Sequence, residues 1–450
     1  MQKNISSQSH RIKIIFIIGL LLTLTAIGSY FLSDDLIYLQ VTEKLKLQNN
    51  SKALDFLLNP PAIIYRKYYF FDVQNPVGIL NGEKPRLSER GPYTFRVEWD
   101  KKNVKFLNKD RLKYSPITTT YFEPSLSAGN ESDIITFLNI PATGVINQMN
   151  QGKILGFNAI MVKASLDHLD TKLFIKRSIG QLISGYNDPL MELAELMDNA
   201  QNDGKFSLLK NNGTEWQSYV INTGYSDPMN VGKIASWNGL KKLNYWKSDK
   251  ANQISGTDGT FYPPFLNRSS VIESFSPEMC RSFGLVYLKD NEIDGVKTFD
   301  FHLPSDIFSA SELEHAGFCE DKCLGNGVLN ISSCYGGVSG FISQPHFLNA
   351  DEKFVQAING LKPNKQIHDF LIHFEPTTGV PVAGNVRLQI NFFLEPNEEI
   401  DLAKKIQPVL LPVLWFDEEV RLNLEIKKEL SKIAFYVRLV FRIFFLKLNT

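Results

Sequence analysis

Four cysteines are the residues of this chain with the clearest capacity for chemistry. They lie within 55 residues of one another, at Cys280, Cys319, Cys323 and Cys334. Thiolates bind zinc, whereas thiols in an oxidising compartment form disulfides. Four cysteines allow three different pairings, and their order along the chain does not choose among them.

A zinc site is the first alternative. His315, Cys319 and Cys323 are four residues apart, which would place three metal ligands on one face of a helix. Gly317 and Gly325 lie in the same segment and disfavour a long helix. Other features of the chain point to an oxidising compartment, so the sequence favours disulfides and predicts no metal and no cofactor.

Three common catalytic motifs are absent from the chain. The chain contains no Gly-x-Ser-x-Gly, no His-Glu-x-x-His and no Gly-x-x-x-x-Gly-Lys-Ser/Thr. Residues 336–340, Gly-Gly-Val-Ser-Gly, miss the first of these by one position and are typical of a turn between strands. Carboxylates brought together from distant positions leave no motif, so an ecto-hydrolase stays an alternative to the non-enzyme that the sequence favours.

The N-terminal region carries a membrane signal. Residues 14–32 are 19 residues without a charge, preceded by basic residues and followed by Asp34 and Asp35. A helix of this length reaches about 28 Å, close to the thickness of the hydrocarbon core. A cleaved signal peptide is the alternative, but its apolar core is shorter. The pattern predicts a cytosolic tail at 1–13, a transmembrane helix at 14–32, and residues 33–432 outside the cytosol.

Charge and glycosylation motifs agree with that placement. The 450 residues include 48 lysines and arginines and 48 aspartates and glutamates. The chain therefore has no excess of positive charge that would favour binding to nucleic acid. Five Asn-x-Ser/Thr sequons are predicted glycosylation sites, although each alone is a weak signal. They begin at Asn49, Asn130, Asn212, Asn267 and Asn330.

The elements that must position these residues are mainly strands. Short apolar runs separated by turn residues extend from 62 to about 138 and again to about 394, with Gly91-Pro92 predicted to separate two strands. Between them, residues 155–199 have helical periodicity, with Phe157, Ile160, Met161 and Ala164 on one face. Asp188-Pro189 predicts the start of a further helix. The expected fold is one α+β domain, mainly antiparallel β, with a helical insertion.

Motifs in a fixed order identify a family resemblance. The chain resembles the class B scavenger receptors, and its lysosomal branch in particular. The residues that carry the resemblance are 70–76, 81–85, 89–96, 139–144, 256–265, 280–282, 316–319, 329–334 and 345–347.

The resemblance implies a receptor in the plasma membrane or the lysosomal membrane. Its ectodomain would be β-barrel-like, with a helical cap at about 155–199 and a tunnel for lipid. Expected ligands are fatty acids, sterols, phospholipids or lipoproteins. The alternative is a sorting receptor that carries a luminal hydrolase to lysosomes, as the lysosomal member carries glucocerebrosidase. The resemblance also implies disulfides between Cys280 and Cys334 and between Cys319 and Cys323; assembly with further copies of the chain is left open.

In the family, the helical cap binds protein ligands. Lys163, Lys172, Lys176 and Arg177 are therefore candidate contacts for an anionic ligand, with a solvated helix face as the alternative. His168 is a candidate pH-sensitive contact, with a packed core histidine as the alternative.

The C-terminal segment departs from the family pattern. Residues 433–450 are apolar but interrupted by Arg438 and Arg442, each of which would cost about 3 kcal/mol at the centre of a bilayer. The pattern favours an amphipathic helix that lies in the membrane interface. A truncated isoform or an incomplete gene model is the other explanation.

Overall fold

The computed structural model describes residues 16–20, 23, 35, 37–197, 203–309, 316–319, 323–335 and 339–432. The C-terminal segment and most of the predicted transmembrane segment lie outside these residues. Within them, no helix has both the length and the apolar character needed to cross a bilayer.

The main regular structure of the described chain is β-structure, in 17 strands. Their bounds are β1 Ala62–Val73, β2 Leu87–Asn108, β3 Arg111–Phe122, β4 Ile134–Leu138, β5 Phe174–Ser178, β6 Tyr186–Asn187, β7 Lys205–Phe206, β8 Tyr219–Asn222, β9 Ile234–Trp237, β10 Val271–Ser276, β11 Arg281–Ile293, β12 Val296–His302, β13 Val328–Asn330, β14 Gly340–Ser343, β15 Leu371–Glu375, β16 Val380–Leu394 and β17 Val409–Leu422.

One large antiparallel sheet contains 13 of these strands. Its order is β10-β11-β12-β15-β16-β17-β1-β2-β3-β8-β9, with β14 paired to β16 and β13 paired to β14. The predicted α+β fold with mainly antiparallel strands is confirmed. The prediction of a barrel is wrong. The described strands form an open sheet, and its end strands β10 and β9 do not pair with each other. The physical reason is that part of the connection between them, at Thr257, lies between the two end strands and bridges to each side.

A short stretch of extended chain lies between the two end strands. Thr257 forms one bridge to Lys233, beside β9, and another to Ser274 in β10. The amide of Ile234 donates to the carbonyl of Gly256 at 2.8 Å, and the amide of Phe275 donates to the carbonyl of Thr257 at 2.9 Å. Gly256 and Thr257 therefore link β9 to β10, the two end strands that do not pair directly.

The second strand also differs from expectation. Gly91-Pro92 was predicted to separate two strands, but β2 runs through it from Leu87 to Asn108. The register between β1 and β2 shifts between Tyr68 and Phe70, opposite this dipeptide. A bulge therefore absorbs the irregularity that the sequence suggested would end the strand.

Helices are short and cluster between β4 and β7. They are α1 Lys52–Leu58, α2 Pro76–Leu80, α3 Ile140–Asn150, α4 Phe157–His168, α5 Ile179–Ser184, α6 Pro189–Met197, α7 Glu352–Gln356 and α8 Lys365–His368, and residues 37–45 are also helical. Single 3-10 turns occupy Pro124–Leu126, Pro228–Asn230, Ala316–Phe318 and Pro345–Phe347.

The helical insertion, from α3 to α6, is called the cap below. As predicted, α6 begins at Pro189, and Asp188 accepts a hydrogen bond from the amide of Leu190 at 3.0 Å. In α4, Ile160 and Met161 are 66% and 49% exposed, whereas Leu166 is buried. The face predicted from periodicity is thus not the face that packs on the core.

Two large apolar clusters fill the interior. One joins the centre of the sheet to the cap and includes Phe70, Phe137, Ile146, Leu182 and Trp415. The other lies among β3, β8 to β12 and β15 and includes Tyr114, Trp237, Phe301 and Phe374. Aromatic side chains dominate both clusters, which fits the large area that each of them buries.

Candidate functional site

A cavity of about 1570 Å³, partly open to solvent, lies within the described part of the chain. Val41 in the helix 37–45 and Ile426 near the C-terminal end of the described chain line one part of it. Ile140 of α3 and Phe206 of β7, both from the cap region, line another. The cavity therefore borders both the segment that follows the predicted transmembrane helix and the cap.

The wall of the cavity is mostly apolar, with side chains supplied by the central strands. Representative lining residues are Phe275, Phe283, Leu388, Ile390, Leu414 and Phe416. A strand presents alternate side chains to one face, so the inward positions of β16 and β17 form a continuous apolar surface. An enclosure of this size and character suits the chains of a lipid.

Ten aspartate, glutamate, lysine and arginine residues also line the cavity. Six are exposed residues, namely Glu43, Lys44, Lys52, Asp100, Glu278 and Glu429. The other four are buried or half-buried and form two ion pairs, Arg66 with Glu418 and Lys101 with Asp258. The charge inside the wall is therefore paired.

The first pair joins two neighbouring strands of the sheet. Arg66 of β1 lies directly opposite Glu418 of β17, and its Nε donates to Glu418 Oε2 at 2.7 Å. Burial alone would lower the pKa of Arg66, but Glu418 raises it above the usual value, so the guanidinium stays charged. Tyr68, two residues along β1, has a buried hydroxyl that interacts with the guanidinium of Arg66. Burial raises the pKa of Tyr68, so this hydroxyl stays neutral.

The second pair is more deeply buried. Lys101 Nζ is 3.7 Å from Asp258 Oδ2 and donates to the carbonyl of Leu57 at 3.0 Å, and its side chain is 3% exposed. Tyr114 donates its hydroxyl hydrogen to Asp258 Oδ2 at 2.6 Å. Burial lowers the pKa of Lys101. Burial opposes ionisation of Asp258 too, but Lys101 and Tyr114 hold the pKa of that carboxyl below its usual value.

A third polar group lies beside the sheet, at Pro345–Phe347. The ring of His346 stacks on that of His368, and His346 Nε2 is 2.6 Å from Glu89 Oε2. Trp415 Nε1 donates to the same carboxylate oxygen at 2.8 Å. Burial opposes the shift, but these two hydrogen bonds lower the pKa of Glu89. None of these four residues lines the cavity, so we assign the group a structural role.

The predicted contacts on the cap differ in their exposure. Lys163, His168, Lys172 and Lys176 are exposed, and Lys172 Nζ is 3.5 Å from Asp170 Oδ2. His168 is thus not a packed core residue.

Arg177 is half-buried instead. Its guanidinium lies over the ring of Tyr186 at 4.4 Å from the centroid, and its Nε is buried without a hydrogen-bond partner within the described residues. Of the four predicted cations, the three lysines are therefore surface residues, and Arg177 acts in packing.

The cysteines are paired in the structure. Cys280 is bonded to Cys334 and Cys319 to Cys323, the pairs that the resemblance implies. His315, the remaining member of the zinc alternative, lies outside the described residues. Among the residues that are described, no group of three histidine, cysteine or carboxylate side chains is arranged to hold a metal.

The sequons also differ in exposure. Asn49, Asn130, Asn212 and Asn267 are exposed, whereas Asn330 is half-buried at the end of β13. The Oδ1 of Asn330 accepts a hydrogen bond from the amide of Ser332 at 2.9 Å. The fifth sequon is therefore less accessible than the other four.

Comparison with known proteins places the chain. A family model described as the CD36 family matches residues 17–448. The chain belongs to the CD36 family. It is similar to scavenger receptor class B member 1 from Bos taurus, with 33% identity over 94% of this chain and 82% of the relative. It is also similar to lysosome membrane protein 2 from Homo sapiens, with 34% identity over 87% of this chain and 82% of the relative.

The motifs of this CD36 family member supply some of the polar residues described above. Asp258 lies in the motif at 256–265, and His346 lies in the motif at 345–347. Arg66, Lys101 and Glu418 were missed by the sequence analysis. The sequence did carry a signal for the Arg66–Glu418 pair. Arg66 interrupts an aromatic run, and Glu418 follows a run of buried residues. A charge within a buried strand needs a partner.

Proposed function

We propose that this protein is a membrane-anchored receptor of the scavenger type that binds lipid or lipoprotein ligands and holds lipid in its internal cavity. The observation that carries the proposal is the apolar cavity, which borders the cap and also the helix 37–45. A ligand bound at the cap would thus have an apolar path toward the predicted membrane anchor. Homology to proteins named as scavenger receptors supports a receptor rather than an enzyme.

Lipid extraction from the purified full chain tests this function. Mass spectrometry should find lipid in stoichiometric amounts, without turnover of ester or glycoside substrates. Ala383 lines the cavity, so Ala383→Trp should reduce the lipid that co-purifies. Lys297→Trp, at an exposed position of β12, is the matched control and should retain lipid. Absence of lipid from the unmodified chain would refute the proposal, and catalytic turnover would favour an ecto-hydrolase.

A second function is a sorting receptor for a luminal hydrolase. The exposed Ile160 and Met161 on α4 favour it, because apolar side chains exposed on a surface helix are suited to contact another protein. Similarity to relatives named lysosome membrane protein 2 agrees with a lysosomal location. Binding of purified glucocerebrosidase to the full chain, and its loss in Ile160→Asp/Met161→Asp, tests this function. Equal binding by the double variant would exclude α4 as the contact.

A further inference from the structure

Arg281 is a buried cation that lies away from the large cavity. It is the first residue of β11, and its side chain is on the same face of the strand as Leu285, which is wholly buried. Arg281 itself is 2% exposed. Alternation along the strand would predict an apolar residue at this position, because a guanidinium taken out of water is costly unless its charge is compensated.

The described residues compensate the charge of Arg281 only in part. Its Nε donates to the carbonyl of Ser282 at 3.2 Å, and its Nη1 donates to the carbonyl of Ile307 at 3.1 Å. The guanidinium carbon is 3.5 Å from the centroid of the Phe318 ring. Within the described part of the chain, no carboxylate pairs with Arg281 and no acceptor meets its Nη2. Burial lowers the pKa of Arg281 to about 9, so the group is still charged at neutral pH.

A small cavity adjoins this guanidinium. Its volume is about 20 Å³, which is enough for one water-sized species but not for a polyatomic oxyanion. Of the described residues that line it, Arg281 is charged, Ser309 and Asn330 have polar side chains, and none is acidic. Cys323 also lines the cavity and is exposed, so a small solute can enter beside the Cys319–Cys323 disulfide.

We propose that this cavity binds a monatomic anion, namely chloride, with Arg281 Nη2 as its charged hydrogen-bond donor. A water molecule could accept the same hydrogen bond but would leave the buried positive charge without a counter-charge. The bound anion would link β11 to the segment 307–309 and to the turn closed by Cys319 and Cys323. This site is separate from the large cavity, so the inference does not depend on the proposed function.

Replacement of chloride by gluconate tests the site, because gluconate is too large for the cavity. The full chain in detergent is unfolded with urea, which brings no chloride, at constant ionic strength in either anion. A ligand that binds only the folded state raises the ratio of folded to unfolded chain. With a dissociation constant of about 15 mM, chloride at about 150 mM should raise this ratio roughly tenfold over gluconate. Equal stability in the two anions would overturn the proposal.

Arg281→Gln removes the charge and keeps a polar side chain. Its response to chloride should fall below about twofold, whatever its stability in gluconate. Arg268→Gln is the matched control, since Arg268 is exposed, pairs with Asp290 at 2.6 Å and does not line the small cavity. This control should keep the tenfold response. A folded Arg281→Gln protein with the full response would place the anion elsewhere and would overturn the assignment.

Bromide provides a test that needs no variant, and it decides the question if Arg281→Gln does not fold. Bromide has the charge of chloride and is identified by its anomalous scattering. Crystals of the full chain grown in sodium bromide should show an anomalous peak within hydrogen-bond distance of Arg281 Nη2. Electron density for water at this position, without an anomalous peak, would overturn the proposal.

Discussion

The imidazole rings of His346 and His368 stack face to face, with centroids 4.4 Å apart and planes inclined by 6°. Each ring accepts a backbone hydrogen bond at Nδ1, from the amides of Lys362 and Asn364 respectively. Both rings are therefore neutral with the proton on Nε2. Protonation of either Nδ1 would set two donors against each other and would weaken the attachment of the loop 361–364.

Stability should consequently fall in mild acid. Burial, and next the neighbouring His346, lower the pKa of His368 to about 4, while Glu89 opposes the shift and Arg387 adds to it. Because the folded pKa lies below the unfolded value of about 6.5, the unfolded chain binds more protons between these values. The contribution of His368 is complete above pH 6.5 or so and falls by about 2 kcal/mol on going from pH 7 to pH 5.

Thermal unfolding of the full chain as a function of pH measures this loss. His368→Asn keeps an acceptor for the amide of Asn364 but does not titrate, so its stability should depend less on pH in this range. An unchanged pH profile in His368→Asn would show that other groups control the acid sensitivity.

Loss of the long disulfide should be more costly than loss of the short one. Cys280 and Cys334 are 54 residues apart, whereas Cys319 and Cys323 are 4 apart. On a chain-entropy model the two bridges contribute about 4 and about 2 kcal/mol. Chemical denaturation of Cys280→Ser/Cys334→Ser and Cys319→Ser/Cys323→Ser should reproduce that order. Non-reducing peptide mapping tests the pairing itself, and free thiols that bind zinc would contradict it.

Breaking the Lys101–Asp258 pair should destabilise the protein. Asp258→Asn leaves the ammonium of Lys101 buried without a carboxylate, at a cost of about 3 kcal/mol. Lys101→Met/Asp258→Asn removes the buried charge as well, so the double variant should recover part of the loss. The midpoint of denaturant unfolding gives both values. A double variant no more stable than Asp258→Asn would show that the buried ammonium is not the cause of the loss.

Glycans should be found at four of the five sequons. Asn49, Asn130, Asn212 and Asn267 are exposed, whereas Asn330 is half-buried at the end of β13. Release of glycans by peptide-N-glycosidase in heavy-oxygen water, followed by mass spectrometry, marks each modified asparagine. A fully occupied Asn330 would mean that this strand forms only after the glycan is attached.

Charge reversal on the cap should weaken binding to anionic surfaces. Lys172→Glu/Lys176→Glu replaces two exposed cations, so vesicles that contain phosphatidylserine should bind more weakly at low salt, by several-fold at least. Lys113→Glu, at an exposed position of β3, is the control. Thermal stability should change little, since exposed charges contribute little to folding. Equal binding across a salt series would argue against an electrostatic cap.

Much of the secondary structure follows from local sequence. Turn residues between apolar runs predicted the strands β1 to β4, and Asp188-Pro189 predicted the start of α6. The orientation of α4 could not be obtained in this way. Periodicity places Ile160 and Met161 on a common face, but only the position of neighbouring elements decides which face of a helix is covered.

The Arg66–Glu418 ion pair could not be predicted from local sequence for a different reason. Arg66 and Glu418 are 352 residues apart and meet only because β1 pairs with β17 in one register. A shift of one residue would turn Glu418 to the opposite face and would place Glu419 beside the cavity instead. Residue types indicated that each buried charge needs a partner, but the partner is set by sheet topology.

The connection at Gly256 and Thr257 also helps the molecule to avoid aggregation. An exposed strand edge is a template for pairing with another polypeptide. Here Gly256 accepts a hydrogen bond from the amide of Ile234 in β9, and Thr257 bonds to the backbone of β10. Gly256 has a φ of 83°, and a Cβ at this position would be 2.3 Å from the backbone of Glu273, so no other residue fits without displacement. Gly256 thus allows one connection to occupy part of the edge of both end strands, β9 and β10, which leaves less of each edge free for intermolecular β-pairing.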